Sequence, residues 1–137
     1  MKPARVYKGL EDLAAMKRLL VQIRAARNSA YAIHPGDLDW WLFYLPVENS
    51  PWENIFLWDD PDRPGELAAW AYLSPGWNAF DLFIHPGWRS KQWIDTLSQW
   101  TTQRLEELHQ TNGAKQIRTL WISPHDQLSV ECLERLG

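Results

Sequence analysis

The sequence predicts an α/β (α+β) domain in which helices flank a mixed, mainly antiparallel sheet. Two observations predict it. Asn54–Trp58, Glu66–Leu73 and Trp77–Ile84 are apolar, aromatic-rich runs joined by short turn sequences, as in an antiparallel meander. After them come a long helical run and a further apolar run, Ile117–Ile122. The helical crossover sets that run parallel to Trp77–Ile84.

In chain order, Arg5-Val6-Tyr7 is a short strand. Leu10–Arg27 is a helix, with Leu13, Met16, Leu20 and Ile23 forming an apolar stripe that Leu19 widens. Its cations Lys17, Arg18, Arg24 and Arg27 gather late, where positive charge suits a helix C-terminus. Asn28-Ser29 is the expected stop. His34-Pro35-Gly36 reads as a turn. Asp37 is expected to cap a second helix through about Leu45, with Leu38, Trp41, Leu42 and Leu45 on one face and Pro46 ending it. Val47–Glu53 is loop. Asp59–Gly65, DDPDRPG, is hairpin-loop chemistry, and Ser74-Pro75-Gly76 is a tight turn.

The stretch Trp77–Trp100 organises the rest: strand, loop, then a helix from about Ser90 to His109 that Asn112-Gly113 ends. Such a loop turns unpaired backbone N–H groups toward solvent, where an anion can be held. Ser123 is expected to cap a final helix with Pro124 at its first position and Asp126 supporting its start. Leu128, Cys132, Leu133 and Leu136 form its apolar face.

A chain of 137 residues is read as one domain, and it is large enough to bury a core. A formal net charge of −3 argues against a nucleic-acid partner. No apolar run approaches the roughly 20 residues of a membrane span, and the N-terminus lacks an apolar signal core, so the expected setting is the cytoplasm. The single cysteine, Cys132, excludes an internal disulfide and reads as a small core residue. Ten tryptophans is a high number, and most should be core or partner-facing.

The order of elements resembles the GNAT (Gcn5-related N-acetyltransferase) family along Arg5–Gly137. In that family a strand ending hydrophobic-x-Pro leads into Arg/Gln-x-x-Gly-x-Gly/Ala, whose backbone amides bind the pyrophosphate of acyl-CoA. Here Phe83-Ile84-His85-Pro86 is followed by Gly87-Trp88-Arg89, and Arg89 matches the leading arginine. Glu134-Arg135-Leu136-Gly137 resembles the family's Lys/Arg-Leu-Gly ending. The resemblance implies acetyl-CoA or another acyl-CoA as cofactor. Leu82, Phe83, Ile84, Arg89, Ser90, Lys91, Gln92, Trp93 and Ile94 are the positions implied to hold it. It also implies direct attack of a deprotonated amine, on a small molecule or a protein, at the thioester. A backbone N–H of the Trp77–Ile84 strand would polarise the carbonyl.

The sequence departs from the family at these sites. Gln92 and Ile94 occupy the two glycine positions, where a side chain should crowd the phosphates. On this count, glycine at both should raise CoA affinity if those side chains alone block the loop. In the family's Asn-x-x-Ala-x-x-x-Tyr run, Asp126, Ser129 and Leu133 stand at the Asn, Ala and Tyr positions, and leucine has no proton to give the CoA sulfur. The family's last two strands do not follow the final helix, so the domain is read as incomplete at its C-terminal end. A second GNAT-like domain or a homodimer partner would then cover the sheet edge.

The histidines are not spaced as a metal pair. His34 and His85 each precede Pro-Gly and read as turn residues, with general base as the other reading of His85. Glu66 and Asp81 lie where the family often keeps a carboxylate base, but a charge on the outer face of a half-exposed strand is the commoner reading. Two functions follow. One is an acyl-CoA-dependent N-acyltransferase. The other is a non-catalytic packing domain of a tandem or dimeric GNAT protein.

Overall fold

The two-residue alternation of the meander strands decides which helix each side chain meets. In a computed structural model of the chain, residues 1–27, 31–44, 51–108, 118–119 and 122–136 are described. They form β1 (Arg5–Val6), α1 (Leu10–Arg27), α2 (Pro35–Asp39), β2 (Ile55–Asp59), β3 (Leu67–Ser74), β4 (Ala79–Ile84), α3 (Lys91–Leu108), β5 (Arg118–Thr119) and α4 (Gln127–Leu136). The sheet order is β1-β2-β3-β4-β5. All neighbours are antiparallel except β4 and β5, which run parallel.

The sheet separates two cores. Ile55, Leu57, Leu67, Trp70, Tyr72 and Phe83 face α1 and α2, against Met16, Leu19, Leu20 and Leu38. Phe56, Trp58, Ala69, Ala71, Leu73, Phe80 and Ile84 face α3 and α4, against Ile94, Leu97, Leu105 and Cys132. Between β2 and β3 the register slips: Trp58 opposes Ala69, yet Asp59 opposes Leu67. The extra residue, Ala68, is a β-bulge, and it lets Leu67 and Trp70 share one face. At the sheet's edge the Arg5 guanidinium donates to Asp12 at 2.8 and 2.9 Å and to Asp59 at 2.8 and 2.9 Å, tying β1 to α1 and β2.

Several elements differ from the sequence reading. The second helix is capped by His34, not Asp37. His34 Nδ1 accepts from the Gly36 N–H at 3.0 Å, and Asp37 Oδ2 accepts from the His34 N–H at 3.0 Å, a reciprocal box. After Asp39 the chain widens into a π turn, Trp40–Tyr44. Leu38 in α2 and Leu42 in that turn are both buried, so the apolar face survives the change of pitch. Leu45 lies outside the described residues, as do Asn28-Ser29 and Asn112-Gly113. Trp77 belongs to a 3₁₀ turn, Pro75–Trp77, and not to the strand. Asn78 follows it in the left-handed region, at φ 50°, so β4 begins at Ala79. The last helix starts at Gln127, with Asp126 at its cap. Ser123 instead accepts the His125 N–H at 3.3 Å, closing the turn before it. Asp81 is not on an exposed face: it is buried in the centre of β4. Glu66 precedes β3 and pairs with Arg18 at 2.9 Å.

Candidate functional site

The segment leaving β4 is shaped before it reaches α3. His85 repeats the His34 cap: its Nδ1 accepts the Gly87 N–H at 2.9 Å and starts a 3₁₀ turn, Pro86–Trp88. In both His-Pro-Gly motifs a Cβ on the glycine would stand 3.1 Å from the histidine Nδ1, so any larger residue would push the capping ring by a few tenths of an ångström. The 59–66 hairpin loop braces this turn. Asp60, buried, accepts from the Trp88 indole Nε1 at 2.9 Å, the Asp62 N–H at 2.8 Å and Arg63 Nε at 2.8 Å. Arg63 Nη1 lies 3.0 Å from His85 Nε2. Burial, then the Arg63 charge, pushes the His85 ring below its ordinary pKa, which suits a neutral cap. With Nδ1 accepting the Gly87 N–H, the neutral ring serves the turn as a structural cap, and its proton sits on Nε2.

Burial alone would raise the Asp60 carboxyl. The bonds from Trp88 and Asp62, then Arg63, outweigh it and hold the carboxyl at about 2. Its pKa falls on folding, so its stabilising contribution is complete above the ordinary value of 3.8 and is lost as pH drops toward 2. Replacing Asp60 with asparagine is expected to cost about 1–3 kcal/mol at neutral pH. It should also flatten the loss of stability between about pH 4 and 2. Urea unfolding followed across that range measures both, and an unchanged pH slope would take Asp60 out of this role.

Beyond the turn, α3 opens at Lys91. Ser90 caps it, its Oγ accepting the Trp93 N–H at 3.3 Å and its carbonyl the Ile94 N–H at 2.9 Å. The Ile94 bond is the first intrahelical bond of α3, so of the amides at the helix start the Ser90 side chain engages that of Trp93. Lys91 pairs with Asp95 at 2.8 Å on the surface, Gln92 is exposed, and Trp93 packs edge-on against Trp88 at 5.8 Å. Ile94 is 2% exposed and belongs to the α3 core.

The described pairing of β4 with β5 is Ala79 with Arg118 and Phe80 with Thr119. Beyond it lies a cavity of about 50 Å³, with Leu82, Phe83 and Ile84 on one side and Ile122, Ser123 and α4 on the other. Arg89 and Ile94 also line it. Of the cofactor positions implied by resemblance, these five meet there. Ser90, Lys91, Gln92 and Trp93 do not.

Arg89 turns inward. Its guanidinium forms an ion pair with Asp126, and Nη2 donates to Ser129 Oγ at 2.9 Å. Ser129 Oγ in turn donates to Asp126 Oδ2 at 2.9 Å. Arg27 Nη1 is 3.8 Å from Asp126 Oδ2, and its guanidinium stacks 4.1 Å over the Tyr31 ring. Burial lowers the Arg89 pKa, and Asp126 pushes back. The departures at the Asn, Ala and Tyr positions thus gather at one place. Asp126 and Ser129 hold Arg89, and Leu133 lines the same cavity. Arg27 and Tyr31 are cavity residues that the sequence reading missed. Their only signal was a cation and an aromatic ring four residues apart at the end of a helix.

No family model matches the sequence, and no curated protein matches it. Among solved structures the chain is similar to a GCN5-related N-acetyltransferase from Sphaerobacter thermophilus, with a TM-score of 0.67 and 20% identity. The match covers 98% of this chain and 42% of the other, so the chain spans less than half of that protein's length. No helix among the described residues is long and apolar enough to cross a membrane, and no cluster of metal-ligating side chains occurs among them. The matched fold and the strand-loop-helix geometry agree: this chain has the fold of the GCN5-related N-acetyltransferases.

Proposed function

We propose that the chain is an acetyltransferase-like GNAT domain that acts as the non-catalytic half of a tandem or dimeric assembly. It packs against, and helps to shape, a partner domain that holds acyl-CoA. The observation that carries this reading is the bridging of the crevice beyond the β4–β5 pairing. Arg89, Asp126 and Ser129 bond to one another across it, and their ion pair takes the place where the acyl and pantetheine arm of the cofactor would enter. The Ser90 hydroxyl engages the Trp93 N–H, one of the amides that would face the pyrophosphate, and Leu133 stands where a proton donor is needed. Three tryptophans, Trp40, Trp52 and Trp77, are exposed together with Phe43. Aromatic area of this kind is enriched at protein–protein interfaces.

A second reading, an acyl-CoA-dependent N-acyltransferase acting on an amine, is favoured by one observation. Arg89 and the apolar Leu82, Ile84 and Ile94 meet in the crevice at the C-terminal end of β4, beside the parallel strand β5. Calorimetric titration with acetyl-CoA and with CoA separates the two. The non-catalytic reading expects no saturable heat from either. Binding in the micromolar range or tighter would overturn it in favour of the second.

A further inference from the structure

The cavity beyond the β4–β5 pairing has polar capacity that the protein does not use. Arg89 Nε and Thr119 Oγ1 both belong to residues lining it, are buried, and hydrogen-bond to none of the described residues. Buried polar atoms rarely stand without partners, because each has given up its hydration. Arg89 Nε is only a donor, whereas the threonine hydroxyl both donates and accepts. The charges are also unequal. Among the described walls, Arg27 and Arg89 bring two guanidinium groups, and Asp126 brings one carboxylate. Ile94 and Leu133 make part of the wall apolar.

We propose that this cavity binds a small aliphatic monocarboxylate of the size of acetate or propionate. Its carboxylate meets Arg89 Nε and the Thr119 hydroxyl and balances the second guanidinium. Its alkyl end lies against Ile94 and Leu133. One negative charge completes the balance that Asp126 leaves. A cavity of about 50 Å³ has room for a few heavy atoms beyond a single water. The apolar wall favours a carboxylate with an alkyl tail over inorganic phosphate, whose oxygens all seek donors. This site goes beyond the preceding reading, because a free carboxylate needs neither a thioester nor a pyrophosphate loop.

The test is a thermal shift series, with calorimetry, using sodium propionate. Controls at matched concentration are sodium chloride, inorganic phosphate and the neutral isostere propionamide. Propionate is expected to raise Tm saturably, with Kd on the order of a millimolar for so small a ligand. Chloride, phosphate and propionamide should give much less. Thr119→Val, nearly isosteric, should weaken propionate binding severalfold. Leu133→Phe, which fills the apolar end, should abolish it while far-UV circular dichroism stays native. Removing Arg89 is a poorer test, since that change also breaks the ion pair. The proposal is overturned if propionate does no more than chloride, or if propionamide or phosphate matches it. It is equally overturned if folded Leu133→Phe binds propionate undiminished. These readouts do not involve CoA, so they fail or succeed independently of the acetyl-CoA titration.

Discussion

Asp126→Ala is expected to destabilise the fold by about 3–5 kcal/mol, because it leaves a buried guanidinium without its counter-charge. The Arg89 side chain is 13% exposed and that of Asp126 is 11% exposed, so little water reaches either group once its partner is gone. The same carboxylate takes the Ser129 hydroxyl and stands 3.8 Å from Arg27, so one substitution loosens α1, the β4–α3 loop and α4 together. Replacing the pair with apolar residues of similar volume, Arg89→Met with Asp126→Leu, should recover much of the loss. A buried ion pair is often no better than well-packed apolar groups. Urea unfolding of the two single variants and the double variant closes a thermodynamic cycle. A loss under about 1 kcal/mol for Asp126→Ala would show that solvent enters and screens the pair.

Ile94→Gly is expected to cost about 3–6 kcal/mol. Roughly 2–5 kcal/mol comes from deleting a buried aliphatic side chain, and about 1 kcal/mol from glycine replacing alanine in a helix. Ile94 packs in the core with Leu97 and Cys132, and the buried Cys132 sulfur lies 4.0 Å from its carbonyl. Gln92→Gly, at an exposed position, should cost only the helix term. The contrast separates two side chains that the sequence reading grouped together as crowding a phosphate loop. Gln92 faces solvent, but Ile94 faces the sheet, and removing it opens a hole in the core. The double glycine variant is therefore expected to lose stability without gaining CoA affinity. Unfolding curves and calorimetry with CoA report the two effects separately. A gain in affinity in a variant that remains folded would restore the crowding explanation.

Periodicity explains why so much of the scaffold is legible in the sequence. The stripe of Leu13, Met16, Leu20 and Ile23 defines α1 because a helix brings such residues to one face, and α1 is Leu10–Arg27 as expected. The short turns of the meander leave antiparallel pairing as the economical geometry, and the α3 crossover dictates the parallel partner. Caps were less legible. Histidine is an uncommon cap, and it serves here only because a Pro-Gly pair places a backbone N–H within reach of Nδ1.

The candidate site divides along the same line. Local sequence is enough to place Arg89 after the 3₁₀ turn, Ser90 at the head of α3 and leucine at position 133, because these depend on neighbours a few residues away. It cannot say that Arg89 turns inward. That orientation requires Asp126 and Ser129, which lie 37 and 40 residues further along the chain and reach Arg89 only when α4 packs on α3. Nor can it say that Asp81 is buried, since one strand's alternation does not reveal whether its second face is covered. The sequence by itself determined the order of elements, the meander and the absent glycines, all of which rest on periodicity and turn chemistry. Tertiary structure alone decided that the departures at positions 126 and 129 hold the matching arginine, Arg89. A buried charge selects its partner by proximity in space, and separation along the chain carries no record of it.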